Sequence, residues 1–287
     1  MVGMNTPRKL ITTMKEFSFG QYYPTHSFVH KLDARVKILA TIAYIVAVFL
    51  VQAFQFMGFA LCLLFVLITT WASRVPFLKV LKSIKAIMFF IVLSAILQLF
   101  FNNSGKVVVE WGIIKLTDVA LLNAGFLIAR ISLIVLGASL LTLTTSPVEL
   151  ADGIESLMYP LKWIKFPVHE FALIMSIALR FIPTLIDETD RIIKAQKARG
   201  ANFESGNIFK KAKALIPVLI PLLISSFRRA DELADAMDAR CYSGSKNRTK
   251  YKKMRLTWRD AIGILLIGGL ITGIVFLNIT GFLAVVL

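Results

Sequence analysis

Apolar residues fall along the chain in five long blocks separated by polar and mostly basic stretches. The first runs from about Val36 to Phe56; the others cover Met57–Ala72, Ala86–Phe101, Val119–Thr144 and Ala261–Leu287. A helix of about 20 apolar residues crosses the hydrocarbon core of a bilayer. The pattern therefore predicts five membrane spans, the second and third short of that length. The first block is longer than the core of a signal peptide and no small-residue cleavage site follows it, so it is expected to be a span in its own right.

Residues 146–257 break this rhythm. They hold 19 of the 33 basic and 12 of the 17 acidic residues, yet include two apolar stretches. Phe171–Ile186 is interrupted by Arg180 and Pro183, and Ala212–Phe227 by Pro217 and Pro221; both continue into charged helix. One arrangement makes them a membrane hairpin. The other lays them along the membrane surface, apolar on one side for lipid or a partner. The hairpin would carry the basic stretch Arg191–Arg199 to the outer side, against the tendency of Lys and Arg to stay inside, and the surface arrangement is preferred.

The same tendency orients the spans. Arg8, Lys9, Lys15, Lys31, Arg35 and Lys37 precede or open the first block, and Arg74, Lys79, Lys82 and Lys85 follow the second. Gln52–Gln55 carries no charge, and in Asn102–Asp118 two lysines face Glu110 and Asp118. The N-terminus is expected in the cytoplasm, with the chain back there near residue 145. The fold class is all-α and polytopic, in three regions: 1–145 with four spans, 146–257 as a cytoplasmic helical domain, and 258–287 as the closing span.

Composition agrees. Apolar residues are 57% and charged ones 17%, with a mean hydropathy of +0.73; soluble domains lie near 45–50% and 25%. A net charge of +16 on a soluble chain would point to nucleic acid, but on a membrane chain it belongs to inner loops and anionic headgroups. No nucleic-acid partner is expected. Cys62 lies in an apolar block and Cys241 in a charged stretch, so no disulfide is expected.

Ser146-Pro147-Val148-Glu149 reads as a capping box with Pro at the first helical position, opening a helix to about Met158. A second helix is expected from Pro167 to Arg199 with a kink near Pro183, and Gly200 suits the left-handed residue after it. A third runs from about Asn207 to Arg240, bent by Pro217 and Pro221. The last two end alike, in Ala198-Arg199-Gly200 and Ala239-Arg240-Cys241. An Arg in a last turn stabilises its own helix dipole. The repeated Ala-Arg ending adds another reading, because a small Ala lets a surface approach while the guanidinium grips a carboxylate with two hydrogen bonds. Two such tips at the ends of crossing helices suit a partner with two equivalent grooves.

No phosphate-cradling GxxxxGK[ST] loop is present, so ATP hydrolysis would belong to another chain. His26, His30 and His169 lack metal-ligand spacing, and no metal or other cofactor is expected in this chain. Arg130 is the one strongly basic residue deep in a span, facing a polar cavity or backbone carbonyls inside the bundle.

The chain resembles, over nearly its whole length, the transmembrane T component of energy-coupling factor transporters, related to cobalt-transport permeases. The similarity lies in Ser27–Lys37 at the entry to the first span, in Leu179-Arg180-Phe181-Ile182-Pro183, and in the two Ala-Arg endings, where the family carries Ala-Arg-Gly. The resemblance implies a non-catalytic scaffold in the cell membrane of a prokaryote. It would join two ABC-type ATPases, identical or not, to a small membrane S component that binds a vitamin or metal ion, with ATP and Mg held by the ATPases. Ala198, Arg199, Gly200, Ala239, Arg240 and Cys241 would dock the ATPases. Met175, Leu179, Ile182, Pro183, Leu215, Pro217, Val218, Pro221 and Leu222 would face the S component. Cys241 departs from the family's Gly, and since Cys adopts a left-handed cap poorly, this helix is expected to end differently, near Gly244.

Two other functions stay open on residues alone. A stand-alone secondary carrier would bind near Arg130, although intramembrane charge is scarce and no inverted repeat is visible. An enzyme acting on lipid phosphates would need clustered acids; Asp187-Glu188-Thr189-Asp190 and Asp231-Glu232 are the nearest, and with Arg180, Arg191, Arg228 and Arg229 beside them they read as surface ion pairs.

Overall fold

The computed structural model describes residues 22–25, 27–52, 55–101, 107–111, 114–164, 167–201, 203, 208–242, 244 and 257–280. Arg8, Lys9, Lys15, His26, Lys106, Asn207 and the tail of the last apolar block, 281–287, lie outside them. Among the described residues eight α-helices follow one another: α1 (Ala34–Leu50), α2 (Phe56–Ser73), α3 (Phe77–Phe101), α4 (Asp118–Thr144), α5 (Pro147–Leu157), α6 (Val168–Ala198), α7 (Ile208–Asp238) and α8 (Trp258–Thr280). A 3₁₀ segment, Tyr159–Ile164, links α5 to α6.

Local chemistry sets most of these bounds. Asp33 caps α1 by accepting from the Arg35 N–H at 3.0 Å, and the Thr117 hydroxyl caps α4 by accepting from the Ala120 N–H at 3.3 Å. The expected capping box is present at α5: Ser146 Oγ accepts from the Glu149 N–H at 3.3 Å, and Glu149 Oε2 accepts from the Ser146 N–H at 3.4 Å.

Among the described residues the membrane part is helical apart from one hairpin. By length and composition α2, α3, α4 and α8 can each cross a membrane; neither α6 nor α7 is among them. Three expectations need correction. α3 has 25 residues, because Lys79, Lys82 and Lys85 lie within it rather than in a loop before it. α1 stops at Leu50, six residues before the first apolar block ends. The segment before α4 contains β1 (Val107–Trp111) and β2 (Ile114–Thr117), antiparallel with Glu110 opposite Lys115 and Trp111 opposite Ile114. The run of β-branched valines favours a strand here.

Why α1 stops is visible in its last carbonyls. Asn278 Nδ2 of α8 donates to Leu50 O at 2.8 Å, and Arg130 Nη2 of α4 donates to Val51 O at 2.6 Å. Backbone acceptors in an apolar setting need partners, and two distant side chains supply them where continued helix would have. At 17 residues α1 is about 26 Å long. A second link to α4 lies at its opposite end, where the Lys37 ammonium, 6% exposed, donates to Thr144 O and His30 O, each at 3.1 Å. Lys37 to Val51 and Arg130 to Thr144 are both 14 residues, so α1 and α4 run antiparallel in step. α4 then continues a further 12 residues, from Arg130 back to Asp118, for about 18 Å.

α1 packs against α4 and α8, α2 against the same two, and α3 along α4. Their core holds Tyr44, Val48, Val51, Val66, Leu136 and Ile274. Gly137 is required there: a Cβ at that position would fall within the Tyr44 ring. Gly153 similarly brings α5 onto α1, where a Cβ would meet Ala34 Cβ and Ile38 Cδ1, both at 3.0 Å.

A polar clasp ties the starts of α1 and α8. Asp260, 2% exposed, accepts from the Asp33 N–H on Oδ1 at 2.8 Å and from the Thr257 N–H on Oδ2 at 2.6 Å. Beside it, Tyr23 N–H donates to Leu143 O at 3.0 Å, and Lys79 Nζ lies 3.9 Å from the Tyr23 ring centroid, a cation–π contact. The Tyr23 carbonyl can only accept, so His30 Nε2, 3.0 Å away, carries the proton, and Nδ1 accepts from the Ser27 hydroxyl at 2.7 Å.

Burial pushes the His30 imidazole below its ordinary pKa of 6.5; the Lys37 charge acts the same way, and the Tyr23 carbonyl opposes both. The folded chain thus favours the neutral ring. That stability is fully present above pH 6.5 and is lost as pH falls below it toward the folded pKa. The apparent Tm in detergent should decline on acidification between about pH 7.5 and 5.5. In His30→Gln, which retains a donor and an acceptor, that part of the profile should flatten.

By backbone contacts the chain falls into two compact units. One holds Gly20–Ser156 with Met254–Leu287, and the other Leu157–Lys253. α5, grouped with the charged helices in the sequence, packs on α1 within the membrane unit.

Candidate docking surface

The second unit is built on α6 and α7, each of 31 residues and about 46 Å long. Among the described residues two polar contacts join them. Arg229 Nη2 lies 3.4 Å from Glu188 Oε2, and Gln196 Nε2 donates to Pro217 O at 3.2 Å. Rising numbers on α6 pair with falling numbers on α7, so the helices pass each other in opposite directions. The second contact has a clear cause. Pro221 has no N–H, which leaves the carbonyl four residues earlier, that of Pro217, without its helical donor; Gln196 replaces it. Pro183 lies inside α6, and Pro217 and Pro221 inside α7.

The two ends are the same in detail. At α6, the Gly200 N–H donates to Lys197 O and the Ala201 N–H to Gln196 O, both at 3.0 Å. At α7, the Cys241 N–H donates to Asp238 O at 2.9 Å and the Tyr242 N–H to Met237 O at 3.1 Å. Each pair is a Schellman motif, with Gly200 at φ +87° and Cys241 at φ +55°. The expectation that Cys241 would shift the helix end toward Gly244 is therefore corrected. Cys241 takes the left-handed position, held by the two closing hydrogen bonds despite its Cβ. Cys241→Gly should relieve that strain and stabilise the end by about 0.5–1 kcal/mol. Amide exchange at Tyr242 should then slow by about two- to fivefold.

Arg199 and Arg240 are thus equivalent capping residues. Ala198, Arg199, Gly200, Ala239, Arg240 and Cys241 are all exposed. Among the described residues neither guanidinium has a hydrogen-bond or ion-pair partner. Glu188 lies 11 residues before Arg199, and Arg229 lies 11 residues before Arg240. The ion pair at the crossing is thus equidistant from both tips, which for straight opposed helices stand about 33 Å apart.

The apolar candidates do not share one environment. Met175, Ile182, Pro183, Leu215 and Pro217 are exposed, Leu179, Pro221 and Leu222 half-buried, and Val218 buried. A neighbouring stripe of α7 is more open: Ile216, Ile220, Leu223, Ile224 and Phe227 are all exposed. Its spacing of three and four residues is visible in the sequence. Residues 214–224 are apolar all round the helix, so periodicity alone did not select that face. Arg130, on which a carrier reading depends, is engaged with the Val51 carbonyl and lies 5.7 Å from the Phe59 ring centroid.

Together these features define a multi-spanning membrane protein with a separate helical unit that ends in two matched arginine tips. Comparison with known proteins narrows this. The model of the family described as cobalt transport protein, CbiQ, matches residues 25–251. A protein of Clostridium kluyveri described as energy-coupling factor transporter transmembrane protein EcfT is 49% identical over 253 residues, 88% of this chain and 93% of that protein. One of Ruminiclostridium cellulolyticum with the same description is 49% identical over 249 residues, 87% and 92% of the two chains. One of Listeria innocua is 45% identical over 264 residues, 92% and 98%. The chain belongs to this family of energy-coupling factor transporter transmembrane proteins.

Proposed function

We propose that this chain is the non-catalytic coupling subunit of an ATP-driven importer. Arg199 and Arg240, with Ala198, Gly200, Ala239 and Cys241, seat in grooves of two ABC-type ATPases. The apolar faces of α6 and α7 hold a small membrane protein that binds the substrate, a vitamin or metal ion. ATP-dependent movement of the ATPases is transmitted through the two helices to that protein. The basic starts of α1 and α3 support a cytoplasmic side for those two helix starts, by the tendency of Lys and Arg to stay inside.

One observation carries this reading: two exposed guanidinium groups, unpaired among the described residues, at matching helix ends equidistant from the crossing. A capping role alone would not need the same motif twice with the same small residue before it. The guanidinium fork is suited to a carboxylate or backbone carbonyls on a docking surface.

Affinity purification of the tagged chain from its native membrane in mild detergent tests it, with mass spectrometry of the associated proteins. Two ABC ATPase subunits and one or more small hydrophobic proteins are expected. A chain that purifies alone and moves substrate into liposomes without ATP would overturn the reading.

A further inference from the structure

The α6 and α7 ends can be aligned residue by residue at an offset of 41. Ile192 then matches Leu233, Ala195 matches Ala236, and Ala198-Arg199 matches Ala239-Arg240. The backbone follows the same alignment through both Schellman motifs. The charges do not. At four matched positions, three residues apart, the sign is reversed: Glu188 against Arg229, Arg191 against Glu232, Lys194 against Asp235, and Lys197 against Asp238. Residues 190–199 hold one acid and four bases, net +3, whereas residues 231–240 hold four acids and one base, net −3.

The first reversed pair is the ion pair at the crossing. The other six residues, Arg191, Lys194, Lys197, Glu232, Asp235 and Asp238, are all exposed. Helix energetics explains only half of this. Bases near the end of α6 complement the negative pole of its dipole, but Asp235 and Asp238 stand at the same pole of α7, where a negative charge is unfavourable. Asp231 and Asp235, four residues apart, also repel across one turn. Acids held in a position unfavourable to their own helix, on a tip otherwise shaped like its twin, call for an external positive surface.

We infer that the two tips are charge-coded: the α6 tip seats in an acidic groove and the α7 tip in a basic one, so that two non-identical ATPases bind in a single orientation. The inference rests on the docking reading above and deepens it. With two copies of one ATPase both grooves would carry the same sign, and one tip would meet like charge. With two different ATPases the reversed arrangement places like charges together on both sides and is disfavoured. The tips share shape so that each can dock, and differ in sign so that each docks to only one.

A photo-crosslinking amino acid at exposed Ala195 or Ala236, matched positions outside the charged ridge, reads the arrangement in the complex purified from native membranes. The residue-195 probe should label one ATPase and the residue-236 probe the other. In a swapped chain carrying R191E, K194D and K197D with E232R, D235K and D238K, the labels should exchange. In a half-swapped chain with only the α6 changes, labelling from residue 195 should fall by about tenfold or more while residue 236 keeps its partner. The inference is overturned if only one kind of ATPase co-purifies, if each probe labels both ATPases equally, or if the half-swapped chain labels as the unsubstituted one does. An unsubstituted chain that brings down no ATPase fails the docking reading itself, a distinct result.

Discussion

The chain carrying Arg199→Ala and Arg240→Ala should purify without ATPases while unfolding at the temperature of the unsubstituted protein. Both side chains are exposed and unpaired among the described residues, so their loss removes little from the fold. What each contributes internally is a favourable charge near a helix C-terminus, about 0.3–1 kcal/mol at an exposed site. In a docked, desolvated groove the loss of an Arg anchor is of order 2–4 kcal/mol. Two such losses weaken association by roughly a thousandfold or more. Single variants should retain a weakened complex, since the second tip still tethers the pair. Co-purified ATPase per mole of chain, set beside a thermal-unfolding curve, separates the two effects. Loss of ATPases together with a large fall in Tm would mean the arginines hold the fold and not the partner.

Asp260→Ala should act in the opposite way, collapsing stability without touching either tip. Its two carboxylate oxygens are the acceptors for the N–H groups of Asp33 and Thr257, and the side chain is almost fully buried. Alanine leaves both donors unsatisfied, at about 1–3 kcal/mol each. The total loss is about 2–5 kcal/mol, a large share of the stability of an ordinary domain. Asp260→Asn retains one acceptor oxygen and turns an NH2 group toward the other donor, so it should lie between the two. Thermal unfolding of all three chains in one detergent checks the order; equal curves for Asp260 and Ala would remove the clasp from any structural account.

Much of this structure is legible in the amino-acid pattern wherever the cause is local. The Ser146–Glu149 box, the left-handed Gly200, and the start and end of α4 follow from residues within a turn of the feature they set. The twin tips are legible too, because the repeated Ala-Arg ending is a matter of sequence. The misses share a different cause. α1 ends at Leu50 although the apolar run continues, because Arg130 and Asn278, 79 and 228 residues from the carbonyls they cap, supply the donors. Asp260 stands just before the last apolar block with nothing local to mark its role, because one of its partners, Asp33, is 227 residues away. Lys79, Lys82 and Lys85 marked a loop by charge, yet they are good helix formers and the helix runs through them. Cys241 was judged by intrinsic preference, and two hydrogen bonds outweighed it.

The early end of α1 has a consequence for the surrounding lipid. α1 and α2, of 17 and 18 residues, offer the bilayer a wall about 26–27 Å high, while α4, of 27 residues, offers one about 40 Å high. A hydrocarbon core near 30 Å is thicker than the first and thinner than the second. Acyl chains must therefore compress on one flank and stretch or let the helices tilt on the other. The protein imposes a gradient of membrane thickness around its own circumference, and any small membrane protein diffusing toward its short flank meets a slope before it meets a side chain.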